Sequence, residues 1–345
     1  MFEPEPNNGH TENDDKRPRP RLGFLGVGWI GQHRLKSIAE ARHAEIVGLA
    51  DLNPGVVAAA ALEVPGADVR ESLEQLLLMD LDGIVIATPT ALHAEQAIAA
   101  LDANMAVFCQ KPLARTERET QSVIDAARRA DRLLGVDMSY RFVRGVREIK
   151  ERIDAGAIGD LYAMDLVFHN AYGPDKSWYY DPKLAGGGCL IDLGIHLVDL
   201  ALWMTRANFT EVSSRLYAQG KPIGPEAHRL EDYVTARLGL DSGATANLVC
   251  SWHLNAGADA VIGASFYGTK GGLSLRNVNG SFYDFIAEEF IGTERKVIAT
   301  PPDSWGGRAV VDWAGRLAES RAFDPAIESA AAVARVIDAI YQRNE

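Results

Sequence analysis

The stretch Leu22-Gly23-Phe24-Leu25-Gly26-Val27-Gly28-Trp29-Ile30-Gly31 decides the fold of this 345-residue chain. Its apolar beginning predicts a short buried strand over 22–27, and a helical pattern follows to about residue 40. Between strand and helix, the pattern G-x-G-x-x-G gives each glycine a role. Gly26 makes a tight turn, Gly28 lets the backbone approach a pyrophosphate, and Gly31 allows close helix–strand packing. We therefore expect a dinucleotide at the helix N-terminus, where free N–H groups attract its phosphates.

An acidic residue stands where this motif requires one. The next predicted strand, over 46–50, ends in Asp51, 20 residues beyond Gly31. Its carboxylate can accept hydrogen bonds from both ribose hydroxyls and repels a 2′-phosphate, which favours NAD and disfavours NADP. The alternative is a glycine turn with no ligand, which is common, but the strand, helix and acid together favour the cofactor. Further expected cofactor contacts are Trp29, Ile30, Thr88, His93, Gln110 and Lys111.

The first half of the chain continues to alternate between strands and helices. Further strands are predicted at 82–87, 105–109 and 133–136, and helices begin at Asn53-Pro54, Ser72-x-x-Gln75 and Thr116-x-x-Glu119. This alternation predicts a doubly wound parallel sheet, a Rossmann-type α/β domain. Such sheets bind ligands at the carboxyl ends of their strands. Asp51, Thr88, Lys111 and Tyr140 fall at or just beyond those ends.

The second half is predicted to be an α+β domain with a large, mostly antiparallel open sheet. Apolar residues alternate over 162–168, and later strands are joined by turns at 241–243 and 270–272. We predict a disordered tail (1–20), the dinucleotide-binding domain (21–140), a substrate-binding and oligomerisation domain (141–322), and a C-terminal helix packing back on the first domain (323–345). One sheet face lacks a cover, which a second copy of the chain would supply.

Polar side chains interrupt an otherwise apolar helical stretch after Gly186-Gly187-Gly188. Asp192, His196 and Asp199 follow at offsets of four and three, which places them on one face of an α-helix. They could satisfy one another in a core helix, or form an acid/base site at a cleft. A metal site would need a distant ligand that the sequence does not identify, so we predict none.

Composition excludes several classes of function. The net charge of −12 disfavours nucleic acid and anionic membranes as partners. Three widely spaced cysteines, Cys109, Cys189 and Cys250, predict buried thiols rather than disulfides. We find no apolar run long enough to span a bilayer and no signal peptide, so a cytoplasmic location is expected.

The combined motifs resemble the Gfo/Idh/MocA oxidoreductases. The resemblance rests on the glycine motif, Thr88-Pro89 with His93, Lys111-Pro112, and the segment from Gly186 to Asp199. It implies that Lys111 contacts the reacting hydroxyl and the nicotinamide ribose, often through a cis Lys-Pro bond. It also implies that Asp192 binds substrate, that His196 is the general acid/base, and that dimers or tetramers form through the C-terminal sheet.

Two positions depart from the family pattern. Gln110 replaces a Glu, which removes a negative charge beside Lys111 and is expected to lower the pKa of its ammonium. Trp178-Tyr179 replaces Trp-Arg, which disfavours carboxylate or phosphate substrates. The further residues expected in the substrate pocket are Tyr140, Arg141, His169 and Trp178.

The function expected from the resemblance is hydride transfer between nicotinamide and a secondary hydroxyl or ketone of a sugar, polyol or cyclitol. Two alternatives stay open. One is an NAD-dependent glycosidase of the same fold that oxidises its substrate transiently. The other is a non-catalytic regulator that senses NAD.

Overall fold

The computed structural model describes residues 19–224 and 229–342; most of the predicted disordered tail therefore lies outside the described residues. The first sheet contains six parallel strands: β1 (Arg21–Leu25), β2 (Glu45–Ala50), β3 (Asp68–Arg70), β4 (Gly83–Ile86), β5 (Ala106–Cys109) and β6 (Leu134–Val136). The helices between them are α1 (Trp29–Ala41), α2 (Pro54–Glu63), α3 (Leu73–Leu77), α4 (Thr90–Asp102) and α5 (Glu117–Ala130).

The strand order of this sheet, β3-β2-β1-β4-β5-β6, confirms the doubly wound prediction. The order reverses between β1 and β4, the point at which such sheets bind ligands. The three predicted helix starts are also confirmed. Asn53, Ser72 and Thr116 each accept a hydrogen bond from a backbone N–H in the first turn that follows.

The second sheet is mixed and mostly antiparallel, as expected. Its strands are β7 (Leu161–Asn170), β8 (Phe209–Ala218), β9 (Lys221–Ile223), β10 (Tyr233–Leu240), β11 (Thr245–Ser251), β12 (Ala260–Gly268), β13 (Gly272–Asn277), β14 (Phe285–Ile291) and β15 (Glu294–Ala299). They lie in the order β15-β14-β13-β12-β7-β11-β10-β8-β9, and only the β7–β11 pair among these described strands is parallel.

Five further helices complete the described chain: α6 (Arg144–Asp154), α7 (Pro182–Ala185), α8 (Ile195–Thr205), α9 (Arg308–Glu319) and α10 (Glu328–Gln342). The sequence did not predict α9. This helix buries Val310, Trp313 and Leu317 and packs against α1, β5 and β6 of the first sheet, although the predicted boundaries assign it to the second domain. The division near residue 140 stays a prediction.

The stretch Pro182–Thr205 corrects our expectation about apolar runs. Its 24 residues are apolar enough to cross a membrane by length and composition alone, although bends at 186–188 separate α7 from the helical turns that follow. In the fold, 83% of its most apolar window is buried among other elements of the chain. α10 packs against α8 in this stretch and also against α5. The last helix therefore contacts helices from both halves of the chain.

Candidate functional site

A cleft of about 1030 Å³ lies at the carboxyl ends of the first sheet, between that sheet and the second. Lys111 follows β5 and comes from the first half of the chain, whereas His196 lies in the first turn of α8 in the second half. Both line this cleft. The structure thus brings together the two side chains that the sequence linked only through resemblance.

The glycine turn has the geometry of a dinucleotide cradle. Gly26 has a φ of +83°, and a Cβ there would lie 2.6 Å from the carbonyl oxygen of Ala87. A Cβ on Gly31 would lie 2.2 Å from the carbonyl oxygen of Gly26, so both positions require glycine. Gly28 caps α1 without any side-chain hydrogen bond, which leaves the N–H groups of the helix end free for an anion.

Asp51 stands beside this turn at the end of β2. Its carboxylate accepts hydrogen bonds from the N–H groups of Val27 and Asn53, each at 2.9 Å. Glu71 and Glu74 line the same cleft, which the sequence did not foresee. The cradle and these acids fit a dinucleotide without a 2′-phosphate. Trp29 and Ile30 also line the cleft, and Trp29 is 66% exposed.

Lys111 is fixed by the segment that precedes α8. Its Nζ donates to the carboxylate of Asp192 at 2.8 Å and to the backbone oxygen of the same residue at 2.7 Å. The other carboxylate oxygen of Asp192 accepts from Trp252 Nε1 at 3.1 Å. Both charged side chains are less than one-fifth exposed. The Lys111–Pro112 peptide bond is cis.

The imidazole of His196 is buried and packs on Tyr140, with 4.7 Å between ring centroids. Its Nδ1 has no hydrogen-bond partner among the described residues. Burial holds the pKa of His196 well below 6.5, and the positive charges of Lys111 and Arg34 lower it further. The ring is therefore neutral at pH 7 and able to accept a proton.

Gln110 belongs to a buried polar cluster that the sequence did not reveal. Its Nε2 donates to Asp137 Oδ2 at 2.5 Å, and the same oxygen accepts from Arg34 Nε at 2.5 Å. All three side chains line the cleft. Position 110 carries no carboxylate, but two lie nearby. Asp137 accepts a hydrogen bond from Gln110, and Asp192 accepts one from Lys111.

Thr88 and His93 support the loops that follow β4 and β5. The Thr88 hydroxyl donates to Gln96 Oε1 at 2.5 Å. The ring nitrogens of His93 lie 2.8 Å from the carbonyl oxygen of Thr88 and 2.7 Å from that of Pro112. Burial lowers the pKa of His93, so the neutral ring has one N–H and donates to one carbonyl at a time. His93 therefore braces these loops.

Three residues predicted for the substrate pocket do not line the cleft: Asp192, which contacts Lys111 beside it, Arg141 and His169. Arg141 forms an ion pair with Asp199, with Nε to Oδ2 at 2.9 Å, and lines a different cavity. His169 accepts or donates a hydrogen bond with Ser251 and does not line the cleft. The prediction for His169 is wrong because side chains alternate along β7. Phe168 faces the cleft, so His169 faces the opposite side of the sheet.

The expected continuous α-helix from Cys189 is also corrected. Residues Leu190–Gly194 form a π-helix, and α8 begins only at Ile195. The wider turn changes which side chains share a face. Asp192 contacts Lys111, near His196, whereas Asp199 pairs with Arg141, so the three polar residues do not all belong to one site.

Aromatic side chains form the rest of the cleft wall. Tyr140 and Trp178 were predicted there; Phe168, Tyr179 and Trp305 were not. The alternation in β7 could have indicated Phe168, but no local pattern distinguishes Trp305. Cys109, Cys189 and Cys250 are buried free thiols, as predicted. Within residues 19–224 and 229–342, no group of three or more His, Cys, Asp or Glu side chains could hold a metal ion.

Comparison with known proteins agrees with this architecture. Residues 21–138 match the model of an oxidoreductase family with an NAD-binding Rossmann fold, and residues 146–274 match the GFO/IDH/MocA C-terminal domain. D-glucoside 3-dehydrogenase of Escherichia coli (strain K12) is 26% identical over 270 residues, covering 74% of this chain and 76% of that protein. 1,5-Anhydro-D-fructose reductase of Ensifer adhaerens is 29% identical, covering 75% and 76%.

The fold is shared with a solved structure of levoglucosan dehydrogenase in complex with NADH and levoglucosan. The TM-score is 0.81 at 21% identity, and the match covers 94% of this chain and 97% of that one. At this identity the likeness concerns the fold alone. The two family models together cover the first sheet and the second sheet as far as β13, in the same order as the motifs. The chain belongs to the Gfo/Idh/MocA family of NAD-binding oxidoreductases.

Proposed function

We propose that this protein is an NAD-dependent dehydrogenase or ketoreductase acting on a secondary hydroxyl or ketone of a neutral sugar, polyol or cyclitol. The observation that carries the proposal is the Lys111 ammonium, held by Asp192 in the cleft that also contains the neutral His196. The names of the relatives, a glucoside dehydrogenase and an anhydrofructose reductase, support the substrate class.

Different residues of the protein act on the proton and on the oxygen of the reacting hydroxyl. NAD, when bound, supplies the hydride acceptor. His196 takes the hydroxyl proton, because its ring is neutral at pH 7. Lys111 stabilises the negative charge that develops on the oxygen, and Asp192 keeps the ammonium oriented. In the reducing direction the same groups return the proton to the oxygen.

The cleft supports an uncharged substrate. Two of its cations are already bound to carboxylates, Lys111 to Asp192 and Arg34 to Asp137. Tyr140, Trp178 and the other aromatic side chains offer apolar faces to the C–H groups of a sugar ring. A substrate that carries a phosphate or carboxylate would have to compete with Asp192 and Asp137 for these two cations.

NAD is the proposed cofactor, in preference to NADP, because Asp51 and the nearby Glu71 and Glu74 would repel a 2′-phosphate. Asp51→Asn keeps hydrogen-bonding groups toward the ribose and removes the charge, whereas Asp51→Ala removes both. Both variants are expected to lose preference for NADH over NADPH in titrations of binding. Unchanged preference in both would contradict the role of Asp51.

The decisive experiment is a panel of polyols, aldoses and keto-sugars, assayed by the absorbance of NADH with the wild-type chain and Lys111→Met. With an accepted substrate, the variant is expected to lose about 100- to 1,000-fold in kcat while its Kd for NADH stays within about twofold. Lys183→Met, a lysine outside the cleft, is the matched control. Normal turnover by Lys111→Met would overturn the mechanism.

The same assay, with glycosides added to the panel, separates the alternative functions. A dehydrogenase accumulates NADH in step with ketone, whereas a glycosidase with transient oxidation releases sugar without net NADH. A regulator binds NADH but turns over none of the panel. The ion pair of Lys111 with Asp192 and the neutral His196 favour the dehydrogenase.

We further propose a cytoplasmic homodimer or homotetramer, joined through the open face of the second sheet, with no nucleic-acid or membrane partner. Alternating burial along β7, β10, β11 and β12 leaves this face partly exposed, with Val167, Val249 and Val261 on it. This face is partly apolar, with Asp165, Arg237 and Asn247 also exposed on it, and a second copy of the chain would cover it.

A further inference from the structure

Lys176 is a cation with an unusual position. It lies in the connection between β7 and α7, in the second half of the chain, yet it lines the cofactor end of the cleft. A Cβ built on Gly28 would lie 3.4 Å from Lys176 Nζ. Among the described residues it would approach no other atom within 4 Å, apart from its chain neighbours and its own helix. The ammonium thus stands directly over the second glycine of the cradle.

Electrostatics at this point call for an anion. The N-terminus of α1 carries the positive end of the helix dipole, and its first turn contains no acidic residue and no side-chain cap. An ammonium beside it is a second positive group. Among the ion pairs of residues 19–224 and 229–342, none involves Lys176. An anion between the two would neutralise both, and the backbone at Gly28 is where a pyrophosphate approaches most closely.

The connection that carries Lys176 is tied to the rest of the chain near its start, beside β12. Tyr172 donates its hydroxyl proton to Asp259 Oδ1 at 2.5 Å, and the Tyr180 hydroxyl donates to the carbonyl oxygen of Pro174 at 3.0 Å. The same connection presents Trp178 and Tyr179 to the substrate end of the cleft. One short segment therefore reaches both the cofactor cradle and the substrate wall.

We propose that Lys176 is a cofactor-binding residue, which clamps the pyrophosphate of NAD against the helix N-terminus from the opposite side of the cleft. Binding of the cofactor then fixes segment 171–181 and with it the substrate wall. This inference rests on the NAD site of the family and does not depend on which sugar, if any, is turned over.

The test measures binding without substrate. Wild type, Lys176→Met, Lys176→Arg and the matched control Lys183→Met are titrated with NADH, ADP-ribose, ADP and adenosine by calorimetry. Lys176→Met is expected to weaken the three pyrophosphate ligands by about 5- to 20-fold and to leave adenosine unchanged, because only the contact with charged oxygens is lost. Lys176→Arg and Lys183→Met are expected to stay within about twofold of wild type.

Salt dependence and hydrogen exchange provide independent readouts. The Kd of wild type for ADP-ribose is expected to rise more steeply with NaCl than that of Lys176→Met, since one ionic contact is missing in the variant. ADP-ribose is expected to protect segment 171–181 from exchange in wild type but not in Lys176→Met. Unchanged ADP-ribose affinity in Lys176→Met, or an equal loss for adenosine, would overturn the proposal.

Discussion

At the scale of single residues, the cleft combines a neutral base with paired cations. His196 is neutral because its ring is buried and because Lys111 and Arg34 are positive neighbours. Lys111 and Arg34 each form an ion pair with a carboxylate, which holds the two cationic groups in position. The imidazole is therefore neutral in the resting protein at pH 7 and can accept a proton from the substrate during the reaction.

The first prediction concerns the titration of His196. Its pKa lies below 6.5 in the folded chain, so the acid limb of kcat/KM is expected below pH 6.5. Lys111→Met removes one cause of the shift and is expected to raise the pKa measured by NMR in the free protein. His196→Asn assigns the resonance. A pKa at or above 6.5 in wild type would contradict the buried geometry.

The same shift has a consequence for stability. As the pH falls below 6.5, the unfolded chain binds a proton at this histidine before the folded chain does. The stability that His196 contributes is therefore present above pH 6.5 and is lost as the pH falls toward the folded pKa. His196→Asn should show a weaker fall in stability over this interval in urea titrations.

The second prediction concerns the exchange of Glu for Gln at position 110. Gln110→Glu would place a carboxylate against Asp137 Oδ2, where Gln110 now donates at 2.5 Å in a buried site. The free energy of unfolding is expected to fall by about 1–3 kcal/mol, and by more at higher pH, because two buried carboxylates can share the site only if one is protonated.

A double-mutant cycle tests this dependence. Asp137→Asn alone leaves Arg34 without its carboxylate, so it is also expected to be destabilised. The double variant Gln110→Glu/Asp137→Asn restores one carboxylate and one amide, and it should recover a large part of both losses. Additive destabilisation in the urea-monitored cycle would show that the two side chains act independently.

At the scale of elements, the start of the π-helix Leu190–Gly194 is held by hydrogen bonds to Glu231. Glu231 is buried, and its Oε1 accepts hydrogen bonds from the N–H groups of Gly188 and Leu190, each at 3.0 Å. The hydroxyl of Tyr341, in α10, donates to the same oxygen at 2.8 Å. The last helix of the chain and the segment that carries Asp192 are therefore tied to one carboxylate.

The third prediction follows from this anchor. Glu231→Ala would leave these donors without an acceptor in a buried site and is expected to lower the free energy of unfolding by roughly 2–4 kcal/mol. Glu231→Gln keeps an acceptor oxygen and should lose much less. Thermal and urea unfolding of both variants measure the difference, and equal losses would mean that volume rather than hydrogen bonding matters here.

At the scale of the whole molecule, the active cleft is assembled from both halves of the chain. Lys111 comes from the parallel sheet, His196 from the helix that covers the mixed sheet, and α9 returns to the first sheet after the second is complete. The second sheet buries one face on α6 and α8 and leaves the other open. The open face carries Val249 opposite Val167 on the neighbouring strand.

The fourth prediction concerns assembly through that face. Val249→Arg places a charge at the centre of the proposed interface and is expected to convert the oligomer to monomers at micromolar concentration, as measured by light scattering. Leu78→Arg, at an 88% exposed position near the first sheet, is the control and should leave the mass unchanged. A monomeric wild-type chain would contradict the proposed assembly.

The sequence by itself determined the features that depend on near neighbours in the chain. The turn at Gly26, the acid at Asp51, and the helix starts at Asn53 and Thr116 were all predictable, because a tight turn and a capped helix end are decided within a few residues. The strand and helix alternation then restricted the first half to a parallel sheet with its ligand site at the carboxyl ends.

Only the tertiary structure decided which distant side chains meet. Nothing local pairs Gln110 with Asp137 or places Lys176 over Gly28. The prediction that Asp192 and Asp199 share one polar helix face was wrong for the same reason. The two carboxylates take partners from different parts of the chain, Lys111 and Arg141. Such contacts depend on how the two sheets and the C-terminal helices pack together. Short sequence patterns do not determine that packing.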